Sequence, residues 1–247
     1  MVRFVYVIGA CFFLILYYIP KMIYYTDHPE KYSESDCYRL AVNLIEKMKK
    51  RGRIRTKVFG LENLPKGDGY VMYSNHQGKY DALGIMAVHD TPCTVVMEKE
   101  KSGMILVRQF IDLIRGKRLD RNDLRQQIKV FDLVSKEISQ GRKYIIFPEA
   151  GYLDNKNNLQ EFYSGCFRVA IRSKCPVVPV VIFDSYKPFG VNSLKKVVTE
   201  VHFLEAIPYQ EFAKCNTQEL RDLVVERISE KLQRIKEAKR EENEAYG

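Results

Sequence analysis

No Cys-x-x-Cys pair occurs among the six cysteines, Cys11, Cys37, Cys93, Cys166, Cys175 and Cys215, so neither a zinc site nor a disulfide framework is written in this sequence. They read as reduced core thiols of a cytosolic domain. The Gly-x-Ser-x-Gly elbow of serine hydrolases is missing as well, which leaves a hydrolytic reading without its nucleophile. Repeats, low-complexity tracts and nucleic-acid-binding signatures are absent. The aromatics cluster near the N-terminus rather than among the basic residues, so no nucleic-acid partner is expected.

What is present is 46% apolar residues, enough for one sizeable globular core, and a net charge of +9 that asks for an anionic surface or substrate. After Arg3, the stretch FVYVIGACFFLILYYIP is uncharged from Phe4 to Pro20. As a helix it would reach about 26 Å, slightly short of a hydrocarbon core of about 30 Å. No small-x-small cleavage site follows and apolar character resumes in MIYY, which favours a retained membrane segment over a signal peptide or a buried soluble helix. A bilayer span and an interfacial lie both fit, Pro20 and the bordering tyrosines suiting the second. The stretch DCYRLAVNLIEKMKKRGR has helical apolar spacing and closes on a basic cluster. Residues 1–56 are thus expected to form a membrane-associated helical segment.

From residue 57 to 247, short apolar runs alternate with helical stretches: YVMY at 70–73, CTVVM at 93–97, YIIF at 144–147, VVPVVIF at 177–183 and VTEVHFL at 198–204. This alternation predicts an α/β domain with a mixed, largely parallel sheet flanked by helices. The last stretch, from Thr217 as a cap, lines Leu220, Leu223, Val224, Ile228, Leu232 and Ile235 on one face, as a docking helix does. Ligands of such sheets bind beyond the carboxyl ends of the strands, so polar motifs that follow the apolar runs are the candidates.

The first is SNHQGKYDALG, residues 74–84, with His76 and Asp81 five positions apart. On a helix that offset leaves side chains some 140° from eclipsed, and on a strand it sends them to opposite faces. The two meet only if the chain turns between them, which Gln77-Gly78 allows. A carboxylate on Nδ1 would fix the histidine tautomer and leave Nε2 to take a proton from a hydroxyl, a device worth about 10²–10⁴ in rate. Asn75 either holds this loop or aids an oxyanion. A second motif, PEAG at 148–151, carries Glu149 just past a strand, as a ligand or as an ordinary surface carboxylate. Between them IRGKRLDRND, residues 114–123, reads as a turn-like segment whose Lys117, Arg118 and Arg121 could fork onto phosphate oxygens or form a solvated charge run. Of the remaining histidines, His202 reads as a satisfied core residue and His89 as exposed.

In their order, NHQGKYD, GKRLDR, FPEAG and VVPVV resemble the motifs of the glycerolipid acyltransferase family, over roughly residues 57 to 205. FYSGCFRVA, with Phe162, Gly165 and Ala170, is similar to the family's segment after the glutamate motif. The resemblance implies transfer of a fatty acyl group from acyl-CoA or acyl carrier protein to the sn-2 hydroxyl of 1-acyl-glycerol-3-phosphate, giving phosphatidate for phospholipid biosynthesis. It makes His76 the general base and Asp81 its orienting partner, and needs no metal, cofactor or covalent acyl-enzyme. Substrate binding falls to Lys117, Arg118, Arg121, Glu149 and Gly151, with Arg121 near the phosphate and Pro179 lining the acyl chain. A catalytic domain held at the cytoplasmic side of a membrane follows.

One place departs from the family pattern. Where FPEGTRS is usual, this chain has FPEAGYLD: Ala150 and Gly151 replace glycine and threonine, and Tyr152 replaces an arginine whose charge it cannot supply. Lys79, Lys117, Arg118 and Arg168 are candidates to compensate, and other lysolipid acceptors, or a lipid-remodelling hydrolase on the same scaffold, stand as alternatives.

Overall fold

A computed structural model of the chain describes residues 2–67, 69–149 and 151–245. Its strands are β1 (Ile54–Phe59), β2 (Tyr70–Ser74), β3 (Thr94–Glu98), β4 (Lys117–Leu119), β5 (Lys143–Ile146), β6 (Val177–Phe183) and β7 (Val197–Phe203). Its helices are α1 (Val2–Ala10), α2 (Phe12–Asp27), α3 (Glu34–Arg51), α4 (Asp81–Met86), α5 (Lys99–Ser102), α6 (Val107–Leu113), α7 (Leu124–Ser139), α8 (Arg168–Ser173), α9 (Lys187–Gly190), α10 (Tyr209–Phe212) and α11 (Thr217–Ala245).

The seven strands form one sheet in the order β1-β7-β6-β2-β5-β3-β4. Every neighbouring pair is parallel except β6 and β7, so the mixed, largely parallel sheet is the one expected. β2 and β6 lie at the middle, buried on both faces, which is why they read as unbroken apolar runs. Alternate residues serve two cores. Met72, Val178, Val180 and Ile182 join the cluster under α1, α2 and α3, while Val71, Tyr73, Val177 and Val181 join the one under α7, α8 and α11.

Two strands escaped the apolar-run reading. β4 forms inside the segment expected as a turn, pairing Lys117 to Leu119 with Val96 to Glu98. β1 begins at Ile54, within the stretch assigned to the N-terminal segment, and α1 to α3 share a core with the sheet, so the expected boundary at 56/57 falls inside a strand. Both strands lie at a sheet edge, where cations replace the apolar pattern: Arg55 and Lys57 alternate in β1, and the adjacent Lys117 and Arg118 open β4.

Among the described residues no single helix is long and apolar enough to cross a membrane, but α1 and α2 together are, with a bend of 64° between them. The break falls at Cys11, and α2 runs on through Pro20. Val7, Leu14, Tyr18 and Met22 face the core, while Val5, Phe12, Phe13, Leu16 and Tyr17 stand exposed. Arg3 anchors the pair: its buried guanidinium donates to the carbonyls of Gly52 and Arg53 at the end of α3 and of Ser193 and Lys195 before β7. A cation there also meets the negative end of the α3 dipole.

Candidate active site

Five strands, β2 to β6, deliver their carboxyl ends to the same edge of the sheet, and the central β2 ends at Ser74. The chain then turns through Gln77 and Gly78 into α4, which starts at Asp81. That turn brings His76 Nδ1 within 2.5 Å of Asp81 Oδ2. The same oxygen accepts the backbone N–H groups of Gln77, at 2.5 Å, and Gly78, at 2.8 Å. Asp81 is fully buried, so these donors and the positive end of α4 hold its charge. Asp81 therefore fixes the histidine tautomer and the loop together. Among the described residues Nε2 of His76 has no hydrogen-bond partner, and the side chain keeps 18% exposure, as a proton acceptor for an incoming hydroxyl requires.

The loop is further pinned to β6. Asn75 accepts from Ile182 N at 2.9 Å and donates to Ile182 O at 3.1 Å, so both its amide atoms are spent on the backbone and the loop-holding reading applies. Gln77 donates to Ile182 O and accepts from Ser185 N. Asn155 donates to His76 O at 2.9 Å, and Asn157 links Gln77 to Asp184. Sequence reasoning missed Gln77, Asn155 and Asn157. The only signal was the polar run DNKNN at 154–158, which any surface loop could carry.

Phe147 stacks on the His76 ring at 4.4 Å, and Tyr152 meets it edge-on at 4.8 Å. Glu149 is buried and accepts from the Gln160 amide, which also donates to Gly151 O at 3.0 Å. Burial pushes the Glu149 carboxyl up to about 7, against the pull of Gln160 and of the His76 backbone N–H. Gly151 has φ +147°, and a Cβ there would stand 3.0 Å from Arg121 Nη2, so glycine lets the guanidinium lie against the chain. Arg121 faces Glu98 at 3.4 Å, Lys101 pairs with the same carboxylate at 3.0 Å, and Lys101 Nζ lies 5.5 Å over the Tyr152 ring. Ala150, the other departure from the family pattern, lies outside the described residues.

Three expected ligands are placed elsewhere. Lys117 pairs with Glu137 at 2.6 Å, and Arg118 with Asp112 at 2.7 Å and Ser102 at 3.1 Å, so both are committed to structural contacts. Pro179 is buried within β6 in register with Tyr73, on the face away from α1 and α2. Its missing N–H falls where β7 ends, and its carbonyl accepts Leu204 N. Of the candidates to replace the lost arginine, Lys79 sits over Phe4 and Arg168 faces Asp132; Lys101, which was not singled out, is the cation beside Tyr152. His89, expected exposed, is buried between Tyr70 OH, at 2.7 Å, and Thr91 O. His202 is buried as expected and its Nε2 pairs with Glu200 at 3.1 Å, but its buried Nδ1 has no partner among the described residues, so it is only half satisfied.

A histidine–aspartate pair thus stands at the carboxyl edge of a mixed α/β sheet, with cations beside it. Residues 55–183, just over half of the chain, match the Acyltransferase family, and the chain belongs to that family. It is 26% identical over 180 residues to the human 1-acyl-sn-glycerol-3-phosphate acyltransferase alpha, covering 69% of this chain and 61% of that one. Identity to the human beta enzyme is 31% over 147 residues, 56% of this chain and 50% of the other. This chain thus spans roughly half to two thirds of the length of most of the curated relatives it matches. The fold also matches the solved structure of the 1-acyl-sn-glycerophosphate (LPA) acyltransferase PlsC from Thermotoga maritima, with a TM-score of 0.72, 19% identity and coverage of 95% and 96% of the two chains.

Proposed function

We propose that this protein transfers a fatty acyl group from an acyl thioester to the sn-2 hydroxyl of 1-acyl-glycerol-3-phosphate, forming phosphatidate. The observation that carries the reading is the His76–Asp81 pair, with Asp81 held by the Gln77 and Gly78 amides. His76 Nε2 takes the hydroxyl proton as the oxygen attacks the thioester carbonyl. Collapse of the tetrahedral intermediate breaks the carbon–sulfur bond, and the imidazolium returns its proton to the departing thiolate. Asp81 stabilises that imidazolium without itself being protonated. Arg121 and Lys101 attract the acceptor's phosphate, and Glu149, beside His76, orients its glycerol.

The exposed apolar face of α1 and α2 supports a monotopic lie, sunk into one leaflet rather than crossing it. Lys21 and Lys47, against Tyr17, Tyr25 and Tyr18, rim that face and suit anionic headgroups on the cytoplasmic side. Glu98, set against Arg121, favours a second reading in which zwitterionic lysolipids are also accepted.

The deciding experiment supplies acyl-CoA or acyl carrier protein and labelled lysophosphatidate to membranes carrying wild type or His76→Ala. Phosphatidate from wild type only is the expected result. Full activity in the variant removes the general-base assignment. Failure of wild type with both donors turns attention to other lysolipids.

A further inference from the structure

A groove of about 510 Å³ opens between the end of α3 and the start of β1, away from the His76 loop. Lys49, Lys50, Arg53, Arg55 and Lys196 line it, against one carboxylate, Glu46. That carboxylate is taken by Lys49 at 2.5 Å. Lys50, Arg53, Arg55 and Lys196 have no carboxylate partner among the described residues. Four cations converging on one concavity without a carboxylate raise the local positive potential, and a multiply charged anion between them would relieve their mutual repulsion.

The place of the groove in the sheet says which anion. β1 and β7 run opposite to β2 and β6, so their amino ends project past the edge at which β2 ends. Thr56, on the groove wall, shares a hydrogen bond of 2.7 Å with Tyr80 OH, and Tyr80 immediately precedes Asp81. The buried Tyr80 side chain thus ties the groove wall to the residue next to Asp81. Lys101 and Arg121, the cations beside Tyr152, follow β3 and β4 on the other flank of β2. Two anionic regions are thus provided for, one on each side of the base. The β1 flank lies three strands from β2, about 14 Å at the usual strand spacing. That separation suits a long flexible arm between a phosphate-rich end and a reacting thioester.

We infer that this groove binds the phosphate-rich nucleotide end of a coenzyme A thioester, with the pantetheine arm reaching from there along the same sheet edge to His76. The inference rests on the proposed acyl transfer. Charges that merely guard an edge strand would account for Arg55 but not for convergence with Lys50 and Lys196 from two other segments. The size falls in the range of small-ligand sites of about 300–1,000 Å³, whereas headgroup attraction needs no concavity.

The test uses the full chain in detergent and the double variant Arg55→Ser/Lys196→Ser, both positions being exposed. Calorimetric titration with coenzyme A, dephospho-coenzyme A and pantetheine reads binding without turnover. Affinity for coenzyme A is expected to fall about tenfold or more in the variant, with dephospho-coenzyme A weaker than coenzyme A on wild type and pantetheine unaffected by the substitutions. In turnover, KM for acyl-coenzyme A rises by a similar factor, while KM for lysophosphatidate and kcat with acyl-pantetheine stay as in wild type. Unchanged coenzyme A affinity overturns the assignment, even if wild type proves active. So does a variant that loses binding only to vesicles of anionic phospholipid, which would make the groove a headgroup site, or only to acyl carrier protein, which would make it a protein-docking surface. Should wild type transfer to no lysolipid, the acyl-transfer reading fails by itself and the titration still decides whether the groove holds coenzyme A.

Discussion

Tyr152 meets the His76 ring edge-on, with centroids 4.8 Å apart and planes at 82°, while Phe147 stacks on the same ring at 4.4 Å. The imidazole is thus held by two aromatic neighbours as well as by Asp81. Tyr152, at the place where the family motif has an arginine, packs here against the proposed base. Tyr152→Phe keeps that packing, so its kcat is expected within about twofold of wild type. Tyr152→Ala frees the ring to tilt and should lower kcat by about tenfold. Steady-state kinetics on both variants checks this. Equal loss in both would move the role to the hydroxyl.

Asp81 makes a different contribution, because one oxygen accepts from His76 and from two backbone amides. Asp81→Asn preserves shape but presents Nδ1 with a neutral amide, so the tautomer and the imidazolium lose their support. Activity should fall by about 10²–10⁴, comparable to His76→Ala. The two substitutions together should cost no more than the worse of them, since they disable one device. A multiplicative loss in the double variant would mean that the residues act separately.

Glu149 supplies a pH signature. Its carboxyl is raised to about 7 from an ordinary value of 4.5, chiefly by burial. Below about 4.5 it is protonated in both folded and unfolded chains and contributes nothing. Between 4.5 and 7 the unfolded chain releases the proton while the folded chain keeps it, so stability falls as pH rises and then levels off. Glu149→Gln removes that loss. The variant should gain on the order of 1–3 kcal/mol relative to wild type at pH 8 and nothing at pH 4, read from denaturant unfolding at the two values. A gain of equal size at both would trace to packing.

Most of the strands and the His76–Asp81 contact were legible because their signals are local. Val177–Phe183 matches its apolar run residue for residue, and the Gln77-Gly78 turn between His76 and Asp81 follows from the steric impossibility of a helix or strand there. β1 and β4 were hidden because edge strands exchange apolar residues for Arg55, Lys57, Lys117 and Arg118. The cap of α11 falls on Asn216, one residue before Thr217, through its bonds to Gln218 N and Glu219 N. The partners of the cations were less legible for a physical reason: they are set by tertiary contact. Nothing near Lys117 in the chain announces Glu137, twenty residues on, and nothing near Tyr152 announces Lys101.

The N-terminal helices give a prediction in lipid. Phe13 is 77% exposed and Leu16 54%, both on the face turned from the core. Burial of each such side chain in acyl chains is worth about 1.5–3 kcal/mol. Phe13→Ser and Leu16→Ser should each weaken vesicle binding by about tenfold or more without lowering the unfolding temperature, because neither supports the fold. Co-sedimentation with liposomes and thermal unfolding separate the two effects. A drop in unfolding temperature would place these residues in a protein contact instead.

Glu98 holds both cations of the proposed acceptor flank. Arg121 faces it at 3.4 Å and Lys101 at 3.0 Å, so a phosphate that binds there must compete with a built-in carboxylate. For a phosphomonoester this competition is a cost. For a headgroup that carries an ammonium as well, the displaced carboxylate gains a partner and the cost is offset. Glu98→Gln should therefore lower KM for lysophosphatidate about threefold to tenfold at low salt, less at high salt where the charges are screened, and leave kcat near wild type. With a lysolipid bearing an ethanolamine headgroup the same variant should raise KM. The opposite signs distinguish a carboxylate that tunes headgroup choice from one that only positions Arg121, since a positioning role would raise KM for both acceptors alike.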